Sequence, residues 1–178
     1  IPALWNRRPP YDSGDIRAEE YWRRVIEDCG VSFDSRRLPA IAEELHRLDC
    51  IGWSYVNPAL LCWLHELRDH GYRLLILSNM ACETYDAILK HSVLRACVDE
   101  VLISGKVQVN KPDRRIFEAA VRIMKTPPGN MLFIDDLSRN VEGAVSAGFH
   151  ALQFTSAEDL SLSLQNRFPS IPRRTLHC

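Results

Sequence analysis

From residue 73 onward the sequence repeats one alternation: a short apolar run, then a stretch with apolar residues at helical spacing. The runs are RLLILS (73–78), VDEVLIS (98–104), MLFID (131–135) and HALQF (150–154). Segments 83–91, 111–124, 138–147 and 156–166 lie between and after them. In 111–124, Ile116, Phe117, Ala120, Val121 and Met124 fall on one stripe, with Pro112 at the expected first turn. Strands alternating with helices leave few topologies, because parallel neighbours need a crossover and that crossover is right-handed. Runs that are apolar on both faces predict a sheet covered by helices on each side. The expected class is α/β with a parallel sheet.

Before residue 70 there is no strand signal. Residues 1–14 (IPALWNRRPPYDSG) hold three prolines and no clear period, and are read as loop. A helix is predicted from Ala18, with Tyr21, Trp22, Val25, Ile26 and Cys29 at helical spacing and Gly30 as its stop. A second is predicted over 36–49, with Leu38, Ile41, Ala42, Leu45 and Leu48 on one face. A third covers 58–70, opened by Pro58 and stopped by Gly71. The organisation expected is an N-terminal loop (1–14), a helical cap (15–56), an α/β core (57–167) and a C-terminal tail (168–178). Arg17 stands where a Ser or Thr N-cap belongs, so a weaker first turn is expected after it.

Composition removes several function classes. The 178 residues carry a net charge of −1, from 22 basic and 23 acidic residues, which gives no argument for nucleic acid or an anionic membrane as partner. No apolar run approaches the roughly 20 residues of a membrane helix. The six cysteines (29, 50, 62, 82, 97 and 178) form no CxxC and no zinc-like spacing with histidine. They are read as buried reduced thiols of a reducing, cytoplasmic compartment. His46, His65, His70 and His91 are expected on solvated helix faces, and His150 as structural. The four tryptophans (5, 22, 53 and 63) are expected in the cap and its hinges, mainly as packing.

Ligands of an open parallel sheet bind beyond the carboxyl ends of its strands. Ser78 and Asn79 follow the first run; Ser104, Gly105 and then Lys111 follow the second. Asp135 and Asp136 end the third, with Asn140 one turn on, and Thr155 and Ser156 follow the fourth. Asp is a poor strand former and is rarely buried unpaired, so two of them closing an apolar run need a reason. One reading is a cap for the next helix. The other is chemistry: two carboxylates hold a hard cation such as Mg²⁺, a lysine offsets phosphoryl charge, and a hydroxyl with backbone N–H groups holds phosphate oxygens. Such a set suits phosphoryl transfer, in which positioning and charge do most of the work.

Taken together, LLILSNM, NKPDRRIFEAA and MLFIDDLSRNVEGAVSAGFHALQF resemble the second, third and fourth motifs of the haloacid dehalogenase-like (HAD) superfamily of hydrolases, and YDSGDIRAEEYW resembles the start of its small helical cap. Within the superfamily these motifs resemble those of the group that includes phosphatases acting on sugar phosphates and the phosphatase domain of soluble epoxide hydrolases. The resemblance implies a three-layer Rossmann-like core with the cap inserted. It also implies that Ser78 and the Asn79 amide bind the phosphoryl group and that Lys111 stabilises nucleophile and phosphoryl oxygens. Asp136 would be a direct Mg²⁺ ligand with Asp135 beside it in the first or second coordination shell, and Asn140 would support that loop. The implied substrate is a small phosphomonoester.

The family's nucleophile, the first Asp of D-x-D-x-[TV] on the central strand, has no counterpart here. YDSGD follows two prolines rather than an apolar run and aligns with the cap entry. Without that strand RLLILS and MLFID each lose a neighbour, and each buried backbone group left unpaired costs about 1–3 kcal/mol. The chain is therefore expected to be an N-terminally truncated piece, lacking the central strand and inactive alone. Two other functions compete with the Mg²⁺-dependent phosphatase. A 2-haloacid dehalogenase has no use for paired carboxylates beside its nucleophile, and a non-catalytic binding module needs no nucleophile at all.

Overall fold

Helical periodicity is realised first at the N-terminus. A computed structural model describes residues 2–32 and 34–173. In chain order its elements are α1 (Pro2–Asp12), α2 (Ala18–Asp28), α3 (Leu38–Trp53), α4 (Pro58–Asp69), β1 (Leu75–Ser78), α5 (Cys82–Thr84), α6 (Val93–Ala96) and β2 (Glu100–Ile103). They continue with α7 (Ser104–Val107), α8 (Arg114–Met124), β3 (Leu132–Asp135), α9 (Ser138–Ser146), β4 (His150–Gln153) and α10 (Ala157–Arg167). A π-helical turn, Tyr85–Leu89, follows α5, with Lys90 N–H donating to the Tyr85 carbonyl at 2.9 Å. The mixed α/β architecture is as expected. The chain divides into two compact bodies: residues 1–55, 78–92 and 103–110, and residues 56–77, 93–102 and 111–178.

In the first body, α1 occupies the stretch expected to be loop, with Pro9 and Pro10 inside it. Each proline removes one intrahelical donor and disfavours the helical conformation of the residue before it. Side-chain packing overrides that penalty. Tyr11 is fully buried and stacks on Tyr21 of α2 at 4.7 Å between ring centroids. Arg8 reaches Asp12 at 3.1 Å and Asp49 of α3 at 2.8 Å, and lies 5.5–5.8 Å from the rings of Tyr11, Tyr21 and Trp53. Tyr21, Trp22 and Val25 form the buried stripe of α2. The missing N-cap at Arg17 is made good from a distance: Ala18 N–H donates to the Glu83 carboxylate at 3.0 Å. Helix α3 runs to Trp53, past the expected end at 49, and Leu48 on its expected apolar face is exposed.

In the second body, Trp63 and Leu67 of α4 pack with Leu152 of β4 and Leu160 and Leu164 of α10. Trp63 thus belongs to this core and not to the helical half. Of the other tryptophans, Trp22 is buried, while Trp5 and Trp53 are exposed and meet edge to face. Helix α8 starts later than expected, with Asp113 as N-cap accepting from Arg115 N–H at 2.9 Å, and Pro112 outside it. Its Phe117 meets Phe133 of β3 edge to face at 5.4 Å.

Strands β3 and β4 are parallel, in the register Leu132↔His150 to Asp135↔Gln153. Strands β1 and β2 form a separate pair. Among the described residues no strand joins β1 to β3, and every residue of β1 is half-buried where a central strand would be covered.

The cysteines correct another expectation: Cys50 and Cys97 are buried, whereas Cys29, Cys62 and Cys82 are exposed thiols. His46 is not on a solvated face, since its ring lies within 3.3 Å of the Tyr11 hydroxyl and 3.6 Å of the Cys50 sulfur. His91 lies in a turn after the π-helical residues rather than on a helix. Residues 174–178 of the expected tail, with Cys178, lie outside the described residues. No described helix is long and apolar enough to cross a membrane.

Candidate functional site

Asp135 is the last residue of β3, and its carboxylate is a meeting point in the second body. Lys111 Nζ donates to it at 2.6 Å, Asn140 Nδ2 at 2.8 Å and the Leu137 amide at 3.0 Å. The first two come from the loop before α8 and the first turn of α9. The ammonium of Lys111 also donates to the Leu77 carbonyl of β1 at 2.8 Å, so one cation bridges the two strand pairs. The Lys111–Asp135 pair is nearly closed to water, with side chains 8% and 7% exposed. Burial alone pushes the Asp135 carboxyl up. The Lys111 ammonium, the Leu137 amide and Asn140 outweigh burial and hold it below the usual carboxylate range.

Asp136 differs from its neighbour. It follows the end of β3 and is exposed, its backbone carbonyl accepting from Gln153 Nε2 at 2.9 Å. Asn140 is 2% exposed, and its Oδ1 finds no donor among the described residues. Helix α9 is set tightly against the lysine loop: a Cβ at Gly143 would stand 2.8 Å from both Cβ and the carbonyl oxygen of Pro112.

In the first body, Ser78 and Asn79 close β1. The Ser78 hydroxyl lies 3.5 Å from the Asn79 carbonyl, at the outer limit of a hydrogen bond. The turn they enter is held by Ser104, which is fully buried. Its Oγ accepts from the Met80 amide at 2.9 Å and donates to the Asp12 carbonyl at 2.6 Å. The Gly105 amide donates to the Met80 carbonyl at 3.1 Å. A Cβ at Gly105 would come within 2.8 Å of the Cys82 nitrogen, so the backbones touch there.

The structure brings Lys111, Asp135 and Asn140 into direct contact, with Asp136 beside them and open to solvent. Sequence reasoning gave Ser104 no role beyond its strand end, and missed Glu83 and the Arg8–Asp12–Asp49 cluster. Each works through a distant partner, and Ser104 and Glu83 act on main-chain groups, which leave no side-chain pattern to read.

For a metal, the described residues offer no group of three or more His, Cys, Asp or Glu side chains. Mg²⁺ does not require one, because it binds through one or two carboxylates plus substrate phosphate and keeps several waters. With three donors already on Asp135, Asp136 is the carboxylate of the pair that fits direct contact with the ion.

The profile described as haloacid dehalogenase-like hydrolase matches residues 16–148. An (S)-2-haloacid dehalogenase of Pseudomonas sp. (strain YL) is 36% identical over 149 residues, covering 84% of this chain and 60% of that protein. A phosphatase of Mycobacterium tuberculosis (strain CDC 1551 / Oshkosh) is 32% identical over 110 residues, covering 61% of this chain and 51% of that protein. The chain thus spans about half to 60% of the length of these two relatives. Among solved structures, a magnesium complex of a HAD family enzyme from Bacteroides thetaiotaomicron superposes with a TM-score of 0.69 at 19% identity, covering 88% of this chain and 78% of the other.

Proposed function

Because the chain belongs to the haloacid dehalogenase-like hydrolases, we propose that it is the larger part of a Mg²⁺-dependent phosphatase acting on a small phosphomonoester. The observation that carries this reading is the division of labour between adjacent carboxylates. The Asp135 side chain is enclosed under three donors, while Asp136 is exposed beside it. Dehalogenation at carbon leaves an exposed second acid without a task, whereas a metal-assisted phosphatase needs one.

In this reading Asp136 holds the metal, which draws off phosphoryl charge when bound. Asp135 fixes the ammonium of Lys111, so that it meets phosphoryl oxygens without having to reorganise. For Ser78 and the Asn79 amide, the likeness of LLILSNM to the family's second motif supports a phosphoryl-binding role, and Asn140 steadies Asp135. The helical segments between 15 and 56 resemble the family's small cap, and substrate selection is the role proposed for them.

The attacking carboxylate is proposed to come from a further strand lying between β1 and β3. It takes the phosphoryl group as the ester P–O bond breaks and the alcohol leaves, and water then cleaves the aspartyl-phosphate to inorganic phosphate and the free carboxylate. The chain alone is expected to give no turnover. Among the described residues β1 and β3 each have one strand neighbour and Asn140 Oδ1 has no donor, which supports that reading.

A 2-haloacid dehalogenase is the second reading, favoured by the 36% identity to one. One assay on the full-length parent separates them. Hydrolysis of an aryl phosphate that stops on chelation and returns with Mg²⁺ supports the phosphatase. Halide release from a 2-haloacid that survives chelation overturns it.

A further inference from the structure

Within the first body, three backbone segments far apart in sequence converge on one hydroxyl. Residues 12–14 lead from α1 into α2, residues 80–82 follow the Ser78–Asn79 turn, and residues 104–105 follow β2. Ser104 Oγ accepts from Met80 N–H and donates to the Asp12 carbonyl, so its donor and one lone pair are both used. The contacts around it leave no slack. Gly14, with a positive φ, places the site of a Cβ 3.2 Å from the Gly105 carbonyl, and Gly105 itself touches the chain at 80–82. A turn pinned at Met80 sets where the Asn79 amide and the Ser78 hydroxyl point. A pin on Asp12 fixes the chain just before α2, the helix that opens at Ala18. The first amide of that helix is tied in turn to Glu83 of α5, on the far side of the same turn.

We propose that Ser104 is a positioning residue that couples the Ser78–Asn79 phosphate-holding turn to the chain entering the helical segment at 12–18. The proposal rests on the phosphatase reading, and it adds a residue to which that reading gave no role. When phosphate occupies the turn, the shared hydroxyl carries the constraint to Asp12. The amides just beyond it, Gly14 bonded to the Tyr11 carbonyl and Ile16 to the Pro10 carbonyl, then open less often.

The test uses the full-length parent, ¹⁵N-labelled, titrated with inorganic phosphate in the presence of Mg²⁺. In the unaltered chain, phosphate is expected to shift the Ser78 and Asn79 amides and to slow hydrogen exchange at Gly14 and Ile16 by about threefold or more. In Ser104→Ala, Met80 exchange is expected to quicken about tenfold, phosphate affinity to fall about fivefold, and the slowing at Gly14 and Ile16 to vanish. Exchange in α8 is expected to stay as it was. Ser104→Cys, of similar size but a weaker hydrogen-bonding group, is expected to fall between the two and serves if the alanine variant does not fold. If the unaltered chain binds phosphate and both variants bind it equally well with the same slowing, the role of Ser104 is overturned and the phosphatase reading stands. If the unaltered chain shows no shift at Ser78 and Asn79, the reading of that turn falls, and the coupling falls with it.

Discussion

Asp12 and Asp135 are enclosed to a similar degree, with side chains 11% and 7% exposed, yet they are displaced in opposite directions. Burial pushes Asp12 up to about 6, and Arg8, shared with Asp49, does not bring it back. Asp135 is held below the ordinary range despite burial, because Lys111, Leu137 and Asn140 all donate to it. Enclosure alone does not set the charge state of a buried acid. The number of donors it commands, and whether a second acid competes for them, decides the sign.

The largest effect is expected from removing the cation. Lys111→Met leaves the enclosed Asp135 carboxylate without its counter-charge and should cost about 3–5 kcal/mol in urea unfolding near neutral pH. The loss should shrink on acidification, as Asp135 takes up a proton. An unchanged unfolding midpoint would mean that the pair does not hold the second body together.

Next in size is Asp12→Asn. A carboxyl raised in the folded state adds stability that is fully present below its ordinary value of 3.8 and is lost as the pH climbs through about 6. Asp135 works the other way: its contribution is present above the ordinary value and is lost as the pH falls through its depressed one. Between about pH 4 and pH 7 the unaltered chain should therefore lose up to about 3 kcal/mol through Asp12. Thermal melts of Asp12→Asn across that range should be flatter. A slope unchanged by the substitution would remove Asp12 from the comparison.

The smallest effect concerns a carboxylate outside both clusters. Glu83→Ala should cost about 1 kcal/mol, the usual value of a lost helix cap, because it frees the first amide of α2. The fraying should appear as faster exchange at Ala18 and nowhere in the second body.

How far the sequence disclosed all this depends on the kind of contact. Periodicity and stop residues located α2, α4 and the four strands, since these follow from side-chain spacing within one segment. The meeting of Lys111 and Asn140 at Asp135 was legible because residues that follow the strand ends of a parallel sheet gather on one rim. Helix α1 was not legible: Pro9 and Pro10 argue against it locally, and contacts with α2 and α3, those of Tyr11 and Arg8 among them, sustain it. The cap from Glu83 and the knot at Ser104 were hidden for another reason. Both bond to main-chain atoms, which every residue type presents alike.

The close approach of Gly143 to Pro112 has a consequence for how the protein can be altered. Asn140 rides on the same helix as Gly143, and Lys111 precedes Pro112 in the chain. A single methyl group added at position 143 would wedge helix and loop apart and so disturb two of the donors to Asp135 together. At Gly129, where a side chain would meet nothing within 4 Å, the same exchange has no such reach.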